Sequence, residues 1–234
     1  MTDKPIIFSA PMVQALLTGR KTQTRRLLKP QPAMNEAGLW VFPPEWSAKN
    51  FKRFGAAMQC PADAITSHFE DTKRGLPYAP GDRLYVREAA LFWRNTSDNS
   101  LSHVAAFKAD GYDLEPGERW RPSIFCPRWA SRLTLTVTEV RVQRLQEISE
   151  ADAVAEGVAE VSAAWQDADE PATYPSFQAY GQDACFSGAG AARLSFMTLW
   201  SSLHGPDAWA TNPWVVAVSF AVQNGNIDAV KPNA

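Results

Sequence analysis

The chain has little cysteine and no long apolar run. Cys60, Cys126 and Cys185 are three in number, far apart and without CxxC spacing, which excludes a disulfide framework and a Cys-based zinc site. No stretch approaches the roughly 18 consecutive apolar residues that a membrane span needs. The start, Met1-Thr2-Asp3-Lys4-Pro5, carries no signal-peptide apolar core, so a reduced, cytoplasmic protein without membrane partners is expected. Histidine is also scarce: His68, His103 and His204 are isolated, and no Cys–His pair has metal or nucleophile spacing. No metal and no cofactor are expected. There is no internal repeat. What remains is an ordinary globular composition, 45% hydrophobic and 21% charged over 234 residues, with nine Trp and seventeen Pro.

The net charge of −2 hides a segregation. Lys4 to Asn35 holds six Lys/Arg and no acid; Arg119 to Arg144 holds six Arg against Glu139 alone; Leu145 to Ala192 holds nine acids and no Lys or Arg. Two basic segments are therefore available to one anion-binding face, or they point apart and are solvated separately.

Pro5–Phe8 reads as a buried strand. A helix follows over about 10–18, with Pro11 allowed in its first turn and Gly19 ending it. The next residues, Arg20-Lys21-Thr22-Gln23-Thr24-Arg25-Arg26, read as a basic turn, and Leu27-Leu28 begins a second strand. From 30 to 80 periodicity is lost. Aromatic anchors Trp40, Phe42, Trp46, Phe51 and Phe54 and one helix near 47–58 describe an insertion. Arg83–Glu88 alternates as a half-buried strand after the Pro80-Gly81-Asp82 turn. Ser102–Lys108 is another strand, while 120–124 and 127–132 are compact Arg/Trp/Pro segments. Leu133–Leu145 is the clearest strand, with Leu133, Leu135 and Val137 inward, then Val140 and Val142 after a phase slip at Thr138-Glu139. Ser149 caps a helix over 150–156 that Gly157 ends. Residues 158–192 form a second, acidic insertion. A helix over 193–203 offers Leu194, Met197, Leu199 and Trp200 for burial, and Trp214–Phe220 is a closing strand. The fold class expected is α+β: one domain, 1–225, built as a small mixed β-barrel with flanking helices and the two insertions, followed by a disordered tail at 226–234.

Four blocks carry a family resemblance: Gly19-Arg20-Lys21-Thr22-Gln23-Thr24-Arg25, Pro80-Gly81-Asp82-Arg83-Leu84, Ala153-Val154-Ala155-Glu156-Gly157 and Trp214–Phe220. They resemble the ASCH domain of the PUA-like barrel superfamily and cover about a third of the chain. The longer form, with its Arg/Trp/Pro segments, is similar to ASCH proteins of bacteriophages and prophages. The resemblance implies a nucleoside, RNA or modified nucleic acid as partner; protein partners are left open. It also implies an N4-acetylcytidine amidohydrolase site, with catalytic positions falling on Lys21, Thr24 and Glu156.

Such chemistry needs a hydroxyl nucleophile, a base and a proton donor or water activator. Thr24, Lys21 and Glu156 are the right residue types for those roles. The plain alternatives are a solvated lysine and a helix-surface carboxylate. Arg20 and Arg25 are candidates to depress the lysine ammonium, and Arg25 and Arg26 to clamp phosphate instead. Arg128 and Arg132 around Trp129 are candidates to hold a stacked base, with Tyr85 beside them. Glu88 is expected in the same region, where it can simply neutralise an arginine. A non-catalytic binder of RNA, single-stranded DNA or a modified base is the alternative function, and ribonuclease activity a third.

Overall fold

A computed structural model describes residues 3–29, 31–37, 40–41, 59–60, 76–161 and 175–230. In chain order its strands are β1 (Asp3–Ile7), β2 (Gln23–Leu27), β3 (Ala33–Met34), β4 (Trp40–Val41), β5 (Gln59–Cys60), β6 (Arg83–Arg87), β7 (Ala90–Arg94), β8 (Leu101–Phe107), β9 (Leu133–Arg144), β10 (Glu160–Val161), β11 (Ser176–Gln178), β12 (Cys185–Ser187) and β13 (Trp214–Asn224). The helices are α1 (Ala10–Leu17), α2 (Glu150–Ala155) and α3 (Ala191–His204).

The class is α+β. A five-stranded sheet runs in the order β1-β6-β9-β13-β2. It is mixed, because β1 lies parallel to β6 (Asp3 opposite Arg83) and β6 antiparallel to β9 (Arg83 opposite Thr136). The late strand β13 neighbours the early strand β2, as barrel closure requires. Yet the order has two ends, β1 and β2, and no pairing joins them among the described residues. A mixed sheet is thus what forms, and a closed barrel is not seen.

The chain divides into two compact units: Met1–Thr22, Pro80–Thr138 and Ser219–Ala234 make the first, Gln23–Ala79 and Glu139–Val218 the second. In the first, Ile6, Val13, Leu16, Leu84, Val86, Leu133 and Leu135 are buried. Helix α1 starts with Pro11 in its first turn and stops at Gly19, whose φ of +74° only glycine adopts cheaply. The Gly19 and Lys21 N–H groups then donate to Leu16 O and Ala15 O, both at 3.0 Å. Strands β7 and β8 form a hairpin whose first half was not foreseen.

Residues 226–230, expected as the start of a frayed tail, are tied down. Asn226 Nδ2 donates to Arg128 O and Ser131 O, both at 2.8 Å; Arg83 Nη1 donates to Ile227 O and Val230 O; and the Ile227 side chain is fully buried.

Of the expected basic turn, Arg20-Lys21-Thr22 lies outside the helices and strands, but its second half, in the second unit, is strand. The strand expected from Leu27 begins at Gln23 and takes in Thr24, Arg25 and Arg26. Ser149 caps α2 as expected, its Oγ accepting from the Asp152 N–H at 3.1 Å, and Gly157 ends it with φ +84°. The Glu150 carboxylate accepts from the N–H groups of Ala192 and Arg193, serving the open first turn of α3. On α3 the buried face carries Phe196, Leu199 and Trp200, whereas Leu194, expected inside, is 42% exposed. Along β9 the alternation breaks at Thr138-Glu139, both exposed. The stretches expected as insertions contain the small sheets β3-β4-β5 and β10-β11-β12. The expected helix near 47–58 and the anchors Phe42, Trp46, Phe51 and Phe54 lie outside the described residues. Among the described residues no helix is long and apolar enough to cross a membrane.

Ile227→Ala is expected to cost about 2–5 kcal/mol of stability, the range for a buried aliphatic truncation. Urea denaturation measures it; an unchanged midpoint would mean the 226–230 segment contributes nothing.

Candidate active site

Strand periodicity places Gln23 and Arg25 on one face of β2, because successive side chains alternate. Helical periodicity places Asp152 and Glu156 on one face at the end of α2, four residues apart. The second unit brings these two faces together. Arg25 is buried with its side chain fully out of solvent. Its Nη1 donates to Glu156 Oε1 at 3.1 Å and to Gln23 Oε1 at 2.5 Å, and its Nη2 donates to Asp152 Oδ2 at 3.0 Å. Asp152 Oδ1 accepts from Gln23 Nε2 at 3.1 Å and from Arg141 Nη2 at 2.8 Å. Two guanidinium groups, Arg25 and Arg141, thus meet two carboxylates, Asp152 and Glu156, and Arg141 also lies 3.5 Å from Glu139. The Phe196 ring lies 5.8 Å from the Arg25 guanidinium.

Burial works against ionisation of Asp152. Hydrogen bonds from Arg141 and Gln23, with the charges of Arg25 and Arg141, outweigh it and hold this carboxyl at about 2. Asp152, Gln23 and Arg141 were not picked from the sequence. The signal that would have found them is the shared face of Asp152 and Glu156 on a capped helix, opposite two polar residues two apart on a strand.

The three expected catalytic residues are all buried: Thr24 and Glu156 in the second unit, Lys21 in the first. The Lys21 ammonium sits 5.7 Å from the Phe8 ring centroid, and its backbone is fixed by the bond to Ala15 O. Arg20 is exposed, its Nε donating to Thr18 Oγ1, and Arg26 is half-buried.

The remaining candidates belong to the first unit. Arg128 pairs with Asp3 and Asp228 while lying 5.4 Å from the Tyr85 ring. Arg132 makes a bidentate pair with Glu88 (2.9 and 3.0 Å) and a second with Asp110. Burial pushes the Glu88 carboxyl up, with Arg132 opposing. These arginines, like Arg25, face carboxylates, so none is poised as a phosphate clamp. Trp129 stays 47% exposed. No group of three or more His, Cys, Asp or Glu that could hold a metal occurs among the described residues.

No family model, curated protein or solved structure matches the chain.

Two outcomes follow from the buried cluster. Arg25→Met leaves Glu156 and Asp152 without their central cation and is expected to cost about 3–5 kcal/mol, read by urea denaturation. A loss within error would show the pairs to be incidental. Second, the folded Asp152 ionises at about 2, below its ordinary 3.8, so the unfolded chain binds the proton first as pH falls. This part of the stability is complete above the unfolded value and disappears as pH drops through about 2. Asp152→Asn should flatten that acid limb in a pH series of unfolding free energies; an unaltered limb would contradict it.

Proposed function

We propose that this protein is an ASCH-type protein directed at nucleosides, its sheet forming the wall of a PUA-like barrel. It hydrolyses the exocyclic amide of an N4-acylated cytidine through Lys21, Thr24 and Glu156. The observation that carries the reading is burial: Lys21 is 2% exposed, Thr24 4% and Glu156 4%. Lysine and glutamate are almost never this buried unless paired; Glu156 is paired with Arg25, and both buried groups come from the motifs that resemble the family's catalytic positions. A solvated basic turn and a surface carboxylate would have argued the other way.

The chemistry assigned to these groups balances. Neutral Lys21 Nζ takes the Thr24 hydroxyl proton as Oγ attacks the acyl carbon. The tetrahedral intermediate collapses with cleavage of the C–N bond, and the proton passes to the departing N4 amine. Water, deprotonated by Glu156, then attacks the acyl-threonine; the bond to Oγ breaks, the proton held by Glu156 passes to Oγ, and the carboxylic acid leaves with Thr24 and Glu156 restored. The net reaction consumes one water. Arg25 holds the Glu156 carboxylate at one oxygen, which fixes the orientation that this role requires.

The test compares wild type with Lys21→Ala on N4-acetylcytidine, separating cytidine by chromatography. Wild type should release cytidine, and the variant should be slower by roughly 100-fold or more with its circular dichroism unchanged. No release by wild type from any of a panel of N4-acyl cytidines and deoxycytidines would overturn the hydrolase reading in favour of a non-catalytic binder or a ribonuclease.

A further inference from the structure

In the first unit, Ala90 of β7 pairs with Phe107 on one side and bridges Arg121 on the other. This lays the Arg/Trp/Pro segment along the second edge of the hairpin, where Phe92 meets Trp129 edge to face at 5.9 Å. The arginines there fall into two groups. Arg128 and Arg132 are neutralised by carboxylates. Arg87, Arg94 and Arg121 bond only backbone carbonyls: Arg87 those of Cys126 and Ile124, Arg94 that of Asn99, Arg121 that of Phe125. Among the described residues none of these three has a carboxylate partner. Each guanidinium is therefore oriented by the backbone but keeps its whole positive charge, and each retains unused N–H donors.

Beside these cations the surface is apolar. Phe125 is 55% exposed and Trp129 47%, and the Arg121 guanidinium lies 5.5 Å from the Phe125 ring. Large rings left in water next to unneutralised arginines are costly to a monomer and mark an interaction surface. Flat rings with pre-oriented guanidinium groups match a partner that carries π-faces and regularly spaced anions.

We propose that this face of the first unit binds a single-stranded nucleic acid, its bases stacking on Phe125 and Trp129 and its phosphates bonding Arg87 and Arg121. A duplex fits poorly, because its bases are already stacked on one another and offer no free face. The surface replaces the one expected around Arg128 and Arg132, whose charges are engaged. It does not depend on the hydrolase reading: a strand held here is one form in which a modified cytidine would be presented, but binding stands or falls by itself.

Fluorescence anisotropy of labelled oligouridine and oligothymidine with the full chain tests it. Both strands are expected to bind and to quench tryptophan emission, with affinity falling steeply as salt rises from about 50 to about 200 mM. Phe125→Ser and Trp129→Ser, at positions already half in water, should each weaken binding by about tenfold. Arg121→Gln, which removes a cation beside Phe125, should weaken it and reduce the salt dependence. Absence of binding by wild type, equal affinity for a duplex of the same length, or undiminished affinity in both serine variants would overturn the proposal. Cytidine release by wild type in the amide assay, with no strand binding, would sink this surface and leave the hydrolase reading standing.

Discussion

The second unit depends on one buried guanidinium. Arg25 has five donors in a planar fork and cannot shed its charge, so enclosing it obliges the surrounding chain to supply acceptors. Gln23 comes from the same strand face, and Asp152 and Glu156 from the helix that follows β9 by a short turn. Asp152 serves twice, its backbone N–H receiving the Ser149 cap while its carboxylate takes Arg25, Gln23 and Arg141. Strand β2, helix α2 and the second half of β9 are thereby joined through a single acid. Helix α3 is linked in turn, because Glu150 of α2 accepts from its first N–H groups. The two carboxylates facing Arg25 are what makes such burial tolerable, since an unmatched ion would cost several kcal/mol.

Local signals in the sequence were read well where the physics is local. Gly19 and Gly157 end helices because each takes a positive φ, Ser149 caps because its hydroxyl meets the N–H three residues on, and Leu133, Leu135 and Val137 alternate because strands do. Fates set by distant partners were not legible. Arg25 looks like a solvated cation until Glu156, 131 residues away, is placed beside it. Part of the apparent excess of positive charge between Arg119 and Arg144 is cancelled once Asp3 and Asp228 are paired with Arg128, and Glu88 and Asp110 with Arg132. Residues 226–230 looked frayed because their anchors, Arg83 and the carbonyls of Arg128 and Ser131, are remote in sequence. Leu194 and Phe196 exchanged places because several apolar residues on α3 left its inner face ambiguous by periodicity alone.

The arginines consequently divide by partner rather than by position in the chain. Those facing carboxylates tie parts of one unit together: Arg25, fully buried, and the half-exposed Arg141 in one unit, Arg128 and Arg132 in the other. Those facing only backbone carbonyls keep their charge for something outside the molecule. The same residue type therefore serves structure and recognition, and the anion each one meets tells the two uses apart.

A double-mutant cycle of Arg25→Met and Glu156→Gln, followed by urea denaturation, measures the central interaction directly. The account predicts a coupling above about 1 kcal/mol, because each single change takes a counter-ion from a partner that stays buried while the double change removes both charges. Additive losses, with no coupling beyond error, would contradict the claim that this ion pair organises the second unit.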